Sequence, residues 1–380
     1  MDFSLSKKHI LMRELFRSFA EKEVKPLAAE IDEKEEFPYA TAAKLGKYGM
    51  MGIPFPKEYG GAGADSLAYT ICVEELSKVC ATTGIVVSAH SSLCVAPIND
   101  YGSPELKEKY LPKLTSGEWI GAFGLTEAGS GSDVSGQQTT AVLDGDNYIL
   151  NGTKIFITNA DAAHVYIIVA VTDKSQGTRG FSLFIVEKDF PGFSIGKKEK
   201  KLGIKGSSTC ELIMENCVVP KENLIGRENQ GFKMIMNTLN GGRVGVAAQA
   251  LGIAQGAIDI TVDYVKERKQ FGRPISQFQN TQFELAEMQT TVDAARLLVY
   301  RAAWLKDQKQ DYSKEAAMAK LFAAEASSDV TRRCLQLHGG YGYTREYPIE
   351  RMMRDAKITE IYEGTSEVQR MVIAGAMKLN

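Results

Sequence analysis

Glu363 is the residue whose type and surroundings best fit chemistry in this sequence. It lies between Tyr362 and the flexible pair Gly364-Thr365. A carboxylate held in a partly apolar pocket loses hydration, so its pKa rises towards the value that a general base needs. Because an isolated Tyr-Glu-Gly run is more typical of a surface loop, the catalytic interpretation depends on the rest of the chain.

Three further segments have compositions that suit contact with a ligand. Residues 121–133 are rich in glycine and hydroxyl side chains without phosphate-loop spacing, and such a backbone can approach a flat ring and present N–H groups to it. Residues 151–159 predict an alternating β strand with Ile155 and Ile157 on one face. Residues 267–273 end a predicted helix with cations, as the helix dipole favours.

Spacing argues against several other kinds of site. No Gly-x-Gly-x-x-Gly follows an apolar strand, so a Rossmann dinucleotide site is not predicted, and Gly60-Gly-Ala-Gly63 is interpreted as a turn. The run Gly131-Ser-Asp-Val lacks a nucleophile elbow, which argues against a serine hydrolase. The four histidines form no ligand-spaced cluster, and we therefore expect no protein-bound metal.

Composition is that of an ordinary soluble protein. The chain has 380 residues, is 44% hydrophobic and 24% charged, and carries a formal net charge of −2, which gives no electrostatic reason to expect nucleic acid or an anionic membrane as partner. The N-terminus lacks the unbroken apolar stretch of a signal peptide, and no run is expected to be long enough to cross a bilayer. Six scattered cysteines predict free thiols in a reducing, cytoplasmic setting.

The elements that must position these residues follow an α, β, α order. Residues 1–120 predict an N-terminal helical domain broken by prolines, with Ser103 as a helix N-cap and Pro104 at the first helical position. Residues 229–380 regain helical periodicity in two long amphipathic stretches, which predicts a C-terminal helical bundle domain.

Residues 121–228 predict a middle β domain. A hairpin is expected around the turn Asp144-Gly-Asp-Asn147, and the apolar runs 165–171 and 181–186 predict buried strands. Strands that follow one another without intervening helices favour an antiparallel sheet or small barrel.

The segment Arg354-Asp-Ala-Lys-Ile-Thr-Glu-Ile-Tyr-Glu-Gly-Thr-Ser-Glu367 resembles, almost residue for residue, the segment that carries the catalytic glutamate in the acyl-CoA dehydrogenase flavoenzymes, above all in their short-chain (butyryl-CoA) branch. The resemblance spans nearly the whole chain. It implies an α+β fold in which a middle antiparallel β-barrel or sheet domain lies between an N-terminal α-helical domain and a C-terminal four-helix bundle.

The resemblance also implies FAD as cofactor. Residues near the isoalloxazine are expected in two segments, with Thr158 near flavin N5 and Phe156 over a ring face where many relatives use Trp. A neighbouring subunit is expected to lend residues 336–340 to the same FAD, so an obligate oligomer, a homotetramer, is implied. The implied FAD contacts are Phe123, Leu125, Thr126, Gly131, Ser132, Phe156, Ile157, Thr158, Arg268, Phe271, Gln279, Gln336, Leu337, His338, Gly339, Gly340, Thr365 and Glu367.

For the acyl-CoA substrate the resemblance implies contacts with Ser132, Asn240, Arg243 and Gly364. Relatives commonly have Asp where Asn240 stands, so the contact made by Asn240 is left open. In the long-chain and isovaleryl branches the base sits immediately before this Arg. With Gly242 at that position no relocated base is available, and Glu363 remains the candidate.

The implied reaction is the dehydrogenation of a short-chain acyl-CoA to a trans-2-enoyl-CoA. Glu363 removes the α-proton, flavin N5 accepts a β-hydride, and electrons pass to electron-transfer flavoprotein. The Glu363 backbone N–H and the flavin ribityl hydroxyl are expected to bind the thioester carbonyl as an oxyanion hole.

Four alternatives remain open. The acyl group could be branched or alicyclic, and the physiological direction could be enoyl-CoA reduction. An acyl-CoA oxidase is disfavoured because those proteins carry an additional C-terminal domain whereas this sequence ends at Asn380. A catalytically silent flavin or CoA binder is disfavoured by the intact run Tyr362 to Thr365.

Overall fold

Three blocks of secondary structure follow one another along residues 4–379, the part of the chain that the computed structural model describes. The first block is helical. Helix α7 begins as predicted, because the Ser103 hydroxyl accepts a hydrogen bond from the Leu106 N–H at 3.3 Å and Pro104 occupies the first turn. Residues His90–Val95 form a π-helix. The α-helices are α1 (Lys7–Phe19), α2 (Ala28–Lys34), α3 (Tyr39–Lys47), α4 (Ser66–Ser77), α5 (Ala81–Ala89), α6 (Ala96–Tyr101) and α7 (Pro104–Thr115).

The second block is a sheet with the strand order β6-β7-β3-β2-β4-β5-β8, and β1 also pairs with β4. Its strands are β1 (Gly121–Gly124), β2 (Thr140–Asp144), β3 (Asn147–Thr158), β4 (Val165–Val171), β5 (Phe181–Glu187), β6 (Phe193–Lys198), β7 (Thr209–Pro220) and β8 (Leu224–Ile225). The predicted hairpin is confirmed, since β2 and β3 are antiparallel and Asp144 pairs with Asn147.

The sheet is not wholly antiparallel, in contrast to the sequence expectation. Strand β4 pairs in parallel with β1 along four residues and with β2 at Thr140 and Val171. Parallel neighbours need a long connection, and here the loop after β1 together with the hairpin of β2 and β3 supplies it. Strand β4 is buried along its whole length because its alternate side chains enter two different hydrophobic cores, one shared with the helices and one within the sheet block.

The third block is dominated by the long helix α8, which crosses the molecule and is buried over most of its length. A short hairpin separates it from α9, whose apolar residues Met288, Val292 and Val299 are fully buried. The elements are α8 (Gly231–Glu267), β9 (Lys269–Gln270), β10 (Arg273–Pro274), α9 (Gln279–Asp307), α10 (Ser313–His338), α11 (Ile349–Ile358) and α12 (Ser366–Ala376).

Two helical stretches are long and apolar enough to cross a bilayer, so the expectation that no run reaches this length was wrong. They are residues Ala81–Tyr101 and Gly231–Glu267. Their apolar windows are 94% and 89% buried inside the protein, which identifies both as core helices. The six cysteines are buried free thiols.

Candidate active site

Glu363 lies in the turn between α11 and α12. Its φ is 53° and that of Gly364 is 97°, so two successive residues adopt the left-handed region that favours glycine. The turn is held at its far end, where the Thr365 hydroxyl caps α12 by accepting from the Val368 N–H at 3.3 Å. The Ser366 N–H also donates back to the Glu360 carbonyl at 2.9 Å. The strained Glu363 backbone is therefore fixed by its neighbours.

The Glu363 carboxylate is held in a setting that suits a base. Its Oε2 is buried and, among residues 4–379, has no hydrogen-bond partner. Burial raises the pKa of Glu363 to about 7, against the opposing effect of the positive charges of Lys320 and Arg243. A carboxylate with a pKa near 7 can accept a proton at neutral pH without binding it too weakly.

Gly242 on α8 provides the space for this carboxylate. A β-carbon at position 242 would overlap Glu363 Oε2 and would lie 3.0 Å from Glu363 Cδ and 2.9 Å from Leu93 Cδ2. The α8 backbone therefore forms one wall of the Glu363 site, and Leu93 of the π-helix lies on the same wall.

Arg243, the next residue on α8, is buried beside this site. Its Nη1 donates to Asn240 Oδ1 at 2.7 Å, and Asn240 Nδ2 donates to the Ser313 hydroxyl at 3.0 Å. Its Nε is buried with no partner in the described part of the chain, and burial lowers the pKa of the guanidinium. Asn240 thus orients Arg243 without neutralising it, which leaves a cation with a free donor for an incoming ligand oxygen.

Two residues that sequence reasoning missed fix the Glu363 turn by binding the carbonyl of Gly364. Lys320 of α10 donates from Nζ to the Gly364 carbonyl at 2.7 Å, and Gln369 of α12 donates from Nε2 to the same oxygen at 2.8 Å. Lys320 is fully buried. A lysine within the apolar helical run Ala316-Ala-Met-Ala-Lys320 was the available signal, because a buried lysine needs a specific partner.

The two predicted flavin-ring segments are neighbours in the structure. Ile155 N–H donates to the Thr126 carbonyl at 2.8 Å, and Phe123 and Leu125 are almost fully buried before the chain reaches part-exposed Thr126. The predicted alternation of the second segment is interrupted by a β-bulge between Lys154 and Ile157.

The bulge leaves Phe156 unpaired within β3. Its φ is 59° and the residue is 59% exposed, whereas Ile157 is buried and Thr158 is half-buried. Gly131 and Ser132 are exposed, and the space around the α-carbon of Gly131 is open. An exposed aromatic ring on one segment and an open glycine loop on the neighbouring segment fit a flat ligand such as a flavin ring.

A buried ion pair anchors the loop that follows Thr126. Lys154 Nζ donates to Glu127 Oε1 at 2.7 Å and to Gln137 Oε1 at 2.6 Å. The Glu127 carboxylate also accepts the backbone N–H groups of Gln138 and Thr139 at 2.7 and 3.0 Å. Sequence reasoning did not identify this group, whose members are distant in the chain.

A cavity of about 560 Å³ brings together Arg268 and all five residues of the segment Gln336 to Gly340. His338 Nε2 is buried there without a partner among the described residues, and the space beside Gly339 and Gly340 is open. A guanidinium, an unpaired ring nitrogen and open glycines fit an anionic dinucleotide such as the pyrophosphate end of FAD.

Arg268 and residues 336–340 line this cavity within one chain, and the expectation that a neighbouring subunit lends residues 336–340 to the FAD stays a prediction. Two predicted members do not line the cavity. Phe271 is 93% exposed, and Gln279 is exposed at the start of α9. Thr365 is the N-cap residue of α12 at the end of the Glu363 turn, and Glu367 lies in the first turn of α12.

Comparison with known proteins assigns the chain to the acyl-CoA dehydrogenase family, an enzyme family of flavin-dependent oxidoreductases. The family's N-terminal, middle and C-terminal domains match residues 6–118, 122–217 and 229–378. The predicted resemblance and α+β fold class are thereby confirmed.

The most similar relatives include a short-chain specific acyl-CoA dehydrogenase of Clostridium acetobutylicum, 59% identical over 99% of both chains. Butyryl-CoA dehydrogenase of Megasphaera elsdenii superposes with a TM-score of 0.98 at 48% identity and full coverage of both chains. A third match is a chain from a structural study of the electron transferring flavoprotein of Acidaminococcus fermentans and of flavin-based electron bifurcation. It superposes with a TM-score of 0.99 at 54% identity and full coverage of both chains.

Proposed function

We propose that this protein catalyses the FAD-dependent α,β-dehydrogenation of a short-chain acyl-CoA, such as butyryl-CoA, to the trans-2-enoyl-CoA. The observation that carries this proposal is the Glu363 carboxylate, which is buried without a hydrogen-bond partner within residues 4–379 and has a pKa raised to about 7. Such a group binds a proton readily, and its Oε2 is not engaged in a hydrogen bond within the described part of the protein, so it is available to act as a general base.

Glu363 would take the proton from Cα of the acyl group. That proton is acidic only if negative charge on the thioester carbonyl is stabilised. The backbone N–H of Glu363 donates no hydrogen bond within the described residues. Since Lys320 and Gln369 both hold the adjacent Gly364 carbonyl, this N–H is part of a fixed peptide segment and would donate to the thioester oxygen.

FAD, when bound, supplies the oxidation by accepting a hydride from Cβ as the α-proton leaves, so that a carbon–carbon double bond forms. Residues 123–126 and 156–158 would hold the isoalloxazine, with exposed Phe156 against one face. Arg268 and residues 336–340, which line one cavity, would bind the pyrophosphate end. Phe271 and Gln279, both exposed, would contact it from outside that cavity. Thr365 and Glu367, at the N-terminus of α12, would also contact the cofactor.

The CoA thioester would bind along α8. Arg243 offers its buried, unpaired Nε to a ligand oxygen, while Asn240 keeps the guanidinium oriented. Ser132, exposed in the glycine-rich loop, and Gly364 would complete the contacts. Gly242 leaves the base position to Glu363 alone, because a side chain there would overlap its carboxylate.

We further propose that the protein is a homotetramer and passes its electrons to an electron-transfer flavoprotein. The outer side of α9 exposes Phe283, Leu297 and Trp304 by 56%, 53% and 51%, an apolar surface of the kind that subunit contacts cover. The structural similarity to a chain from the Acidaminococcus electron transferring flavoprotein work supports the choice of electron partner.

The test is anaerobic bleaching of the bound flavin by a panel of acyl-CoA thioesters. Butyryl-CoA should bleach the visible absorption fastest, and electron-transfer flavoprotein should restore it. Isobutyryl-CoA and cyclohexanecarboxyl-CoA test the branched and alicyclic alternatives, and crotonyl-CoA added to dithionite-reduced enzyme tests the reverse direction. If no thioester bleaches the flavin, the proposed function is wrong.

A further inference from the structure

Lys320 occupies an unusual position for a lysine. It lies in the N-terminal third of α10, a helix packed against α8 and α12, and its side chain is fully buried. Its ammonium group has three protons to donate, yet its one hydrogen bond within residues 4–379 is the 2.7 Å bond to the Gly364 carbonyl. Removing an ammonium group from water is costly, so a lysine held this way requires a compensating negative charge.

The largest compensating charge is the Glu363 carboxylate, ahead of Glu360 and Glu367. The groups that face Glu363 are Arg243 from α8, Lys320 from α10, Tyr69 from α4 and Tyr362 from its own turn. Lys320 in turn faces Arg243, Glu360 and Glu367. Tyr69 and Tyr362 both have raised pKa values and are neutral, so the charges that act on the carboxylate are the two cations.

We propose that Lys320 is a positioning residue for this reaction, which holds the Gly364–Thr365 peptide next to Glu363 in place and stabilises the carboxylate form of Glu363. This inference rests on the proposed function, in which Glu363 is the base. The two roles are separable, because Gln369 donates to the same Gly364 carbonyl at 2.8 Å and carries no charge. Gln369 thus shares the positional role, and Lys320 alone adds the electrostatic one.

Burial lowers the pKa of Lys320 to about 8, and the negative charge of the Glu363 carboxylate opposes that shift. Without a cation at position 320, burial would still disfavour the charged form of the Glu363 carboxylate. One of the two positive charges that stabilise this form would be missing. The proton affinity of Glu363 would then increase, and a larger share of the enzyme would hold a protonated, inactive base at neutral pH.

The experiment compares Lys320→Met, which removes the charge and the hydrogen bond, with Lys320→Gln, which can keep the hydrogen bond without the charge. Lys320→Arg is the charge-retaining variant, and Gln369→Met is the matched control that removes a neutral donor to the same carbonyl. The first readout is the pH dependence of kcat/KM. The second is infrared titration of the Glu363 carboxyl band in resting enzyme, with Glu363→Gln as the blank, which needs no turnover.

We expect the Met and Gln variants to move both the acid limb of the profile and the infrared midpoint upwards by about one pH unit. Lys320→Arg should titrate like the wild type, and Gln369→Met should lower kcat without a shift. The infrared titration separates this inference from the proposed function, since it reports on Glu363 even if no acyl-CoA is oxidised. An unshifted infrared midpoint in both folded neutral variants would overturn the electrostatic role, and Lys320→Gln provides the test if Lys320→Met does not fold.

Discussion

The Glu363 carboxylate fills the space that a β-carbon of residue 242 would occupy. A side chain there would overlap Glu363 Oε2 and lie 3.0 Å from its Cδ. Residue 242 and residue 363 are 121 positions apart in the sequence, and only one of them can place atoms in this volume. A glycine on α8 is therefore a condition for a base that comes from the turn before α12.

Gly242→Ala should lower turnover through this clash. An alanine normally stabilises a helix by about 0.5–1 kcal/mol over glycine, but here the methyl group must displace Glu363 or Leu93. We expect kcat to fall about tenfold or more, as for a misplaced catalytic group. Gly375→Ala on α12 is the matched control, since the space around Gly375 is open, and it should stay within about twofold of wild type. Equal activity of both variants would show that the carboxylate can move freely.

Glu363→Gln should bind acyl-CoA and FAD but lose most of its turnover. The amide keeps the shape of the side chain and cannot accept the α-proton, so kcat should fall roughly a hundredfold or more. Stopped-flow flavin reduction by butyryl-CoA measures the step directly. Glu325→Gln, on the exposed side of α10, is the control and should behave as wild type. Activity of Glu363→Gln within a few fold of wild type would place the base elsewhere.

The same substitution should stabilise the protein at alkaline pH. The pKa of Glu363 rises from 4.5 to about 7 on folding, so between these values the folded state binds more protons than the unfolded state. Stability from this group is therefore lost as pH rises from about 4.5 to 7, by at most about 3 kcal/mol. We expect Glu363→Gln to melt at a higher temperature than wild type at about pH 8, with the difference vanishing near pH 4. A difference independent of pH would refute the assigned pKa.

Several features followed from local sequence because local chemistry determines them. Ser103 and Pro104 specify a helix start within four residues, and Asp144 to Asn147 specify a two-residue hairpin turn. Glu363 was found because its whole segment has a recognisable pattern. In these cases the partners that fix the structure lie within a few residues of each other.

Other features depend on partners that are distant in the chain. Lys320 meets the Gly364 carbonyl 44 residues away, and Lys154 meets Glu127 27 residues away, so neither pair has a local signal. The bulge that exposes Phe156 arises from pairing between β3 and β7, and the parallel pairing of β1 with β4 depends on a crossover. Tertiary context decided these features, and the local pattern was compatible with a regular antiparallel strand.

FAD should bind with a contribution from Arg268. Arg268 lines the cavity with residues 336–340 and offers a charged donor to a pyrophosphate. A charge-assisted hydrogen bond is worth about 1.5–3 kcal/mol, so Arg268→Ala should weaken FAD binding by about tenfold to a hundredfold. Flavin release followed by fluorescence and the rise in melting temperature with added FAD are the measurements. Arg332→Ala, an exposed arginine on α10, should retain FAD as wild type, and an equal loss in both variants would remove Arg268 from the site.

Substrate length should be limited by the segment from Ala89 to Pro97. Its π-helix is buried, and Leu93 contacts the wall beside Glu363. Each added methylene in a short pocket changes discrimination by about 1–3 kcal/mol, so kcat/KM should peak at about four or five carbons and fall steeply by about eight. Leu93→Ala should raise the relative activity with octanoyl-CoA.

The same segment should exclude a second carboxylate on the substrate. Its one basic residue is His90, whose pKa burial lowers to about 4, and whose ring is occupied by the Leu114 carbonyl and the Gly121 N–H, both at 3.0 Å. A glutaryl group would therefore bury a charge with no partner in this segment, which costs several kcal/mol. Comparison of kcat/KM for butyryl-CoA, octanoyl-CoA and glutaryl-CoA decides the point. A higher value for either of the last two would refute a short, neutral pocket, and comparable turnover of cyclohexanecarboxyl-CoA would indicate an alicyclic substrate on the same scaffold.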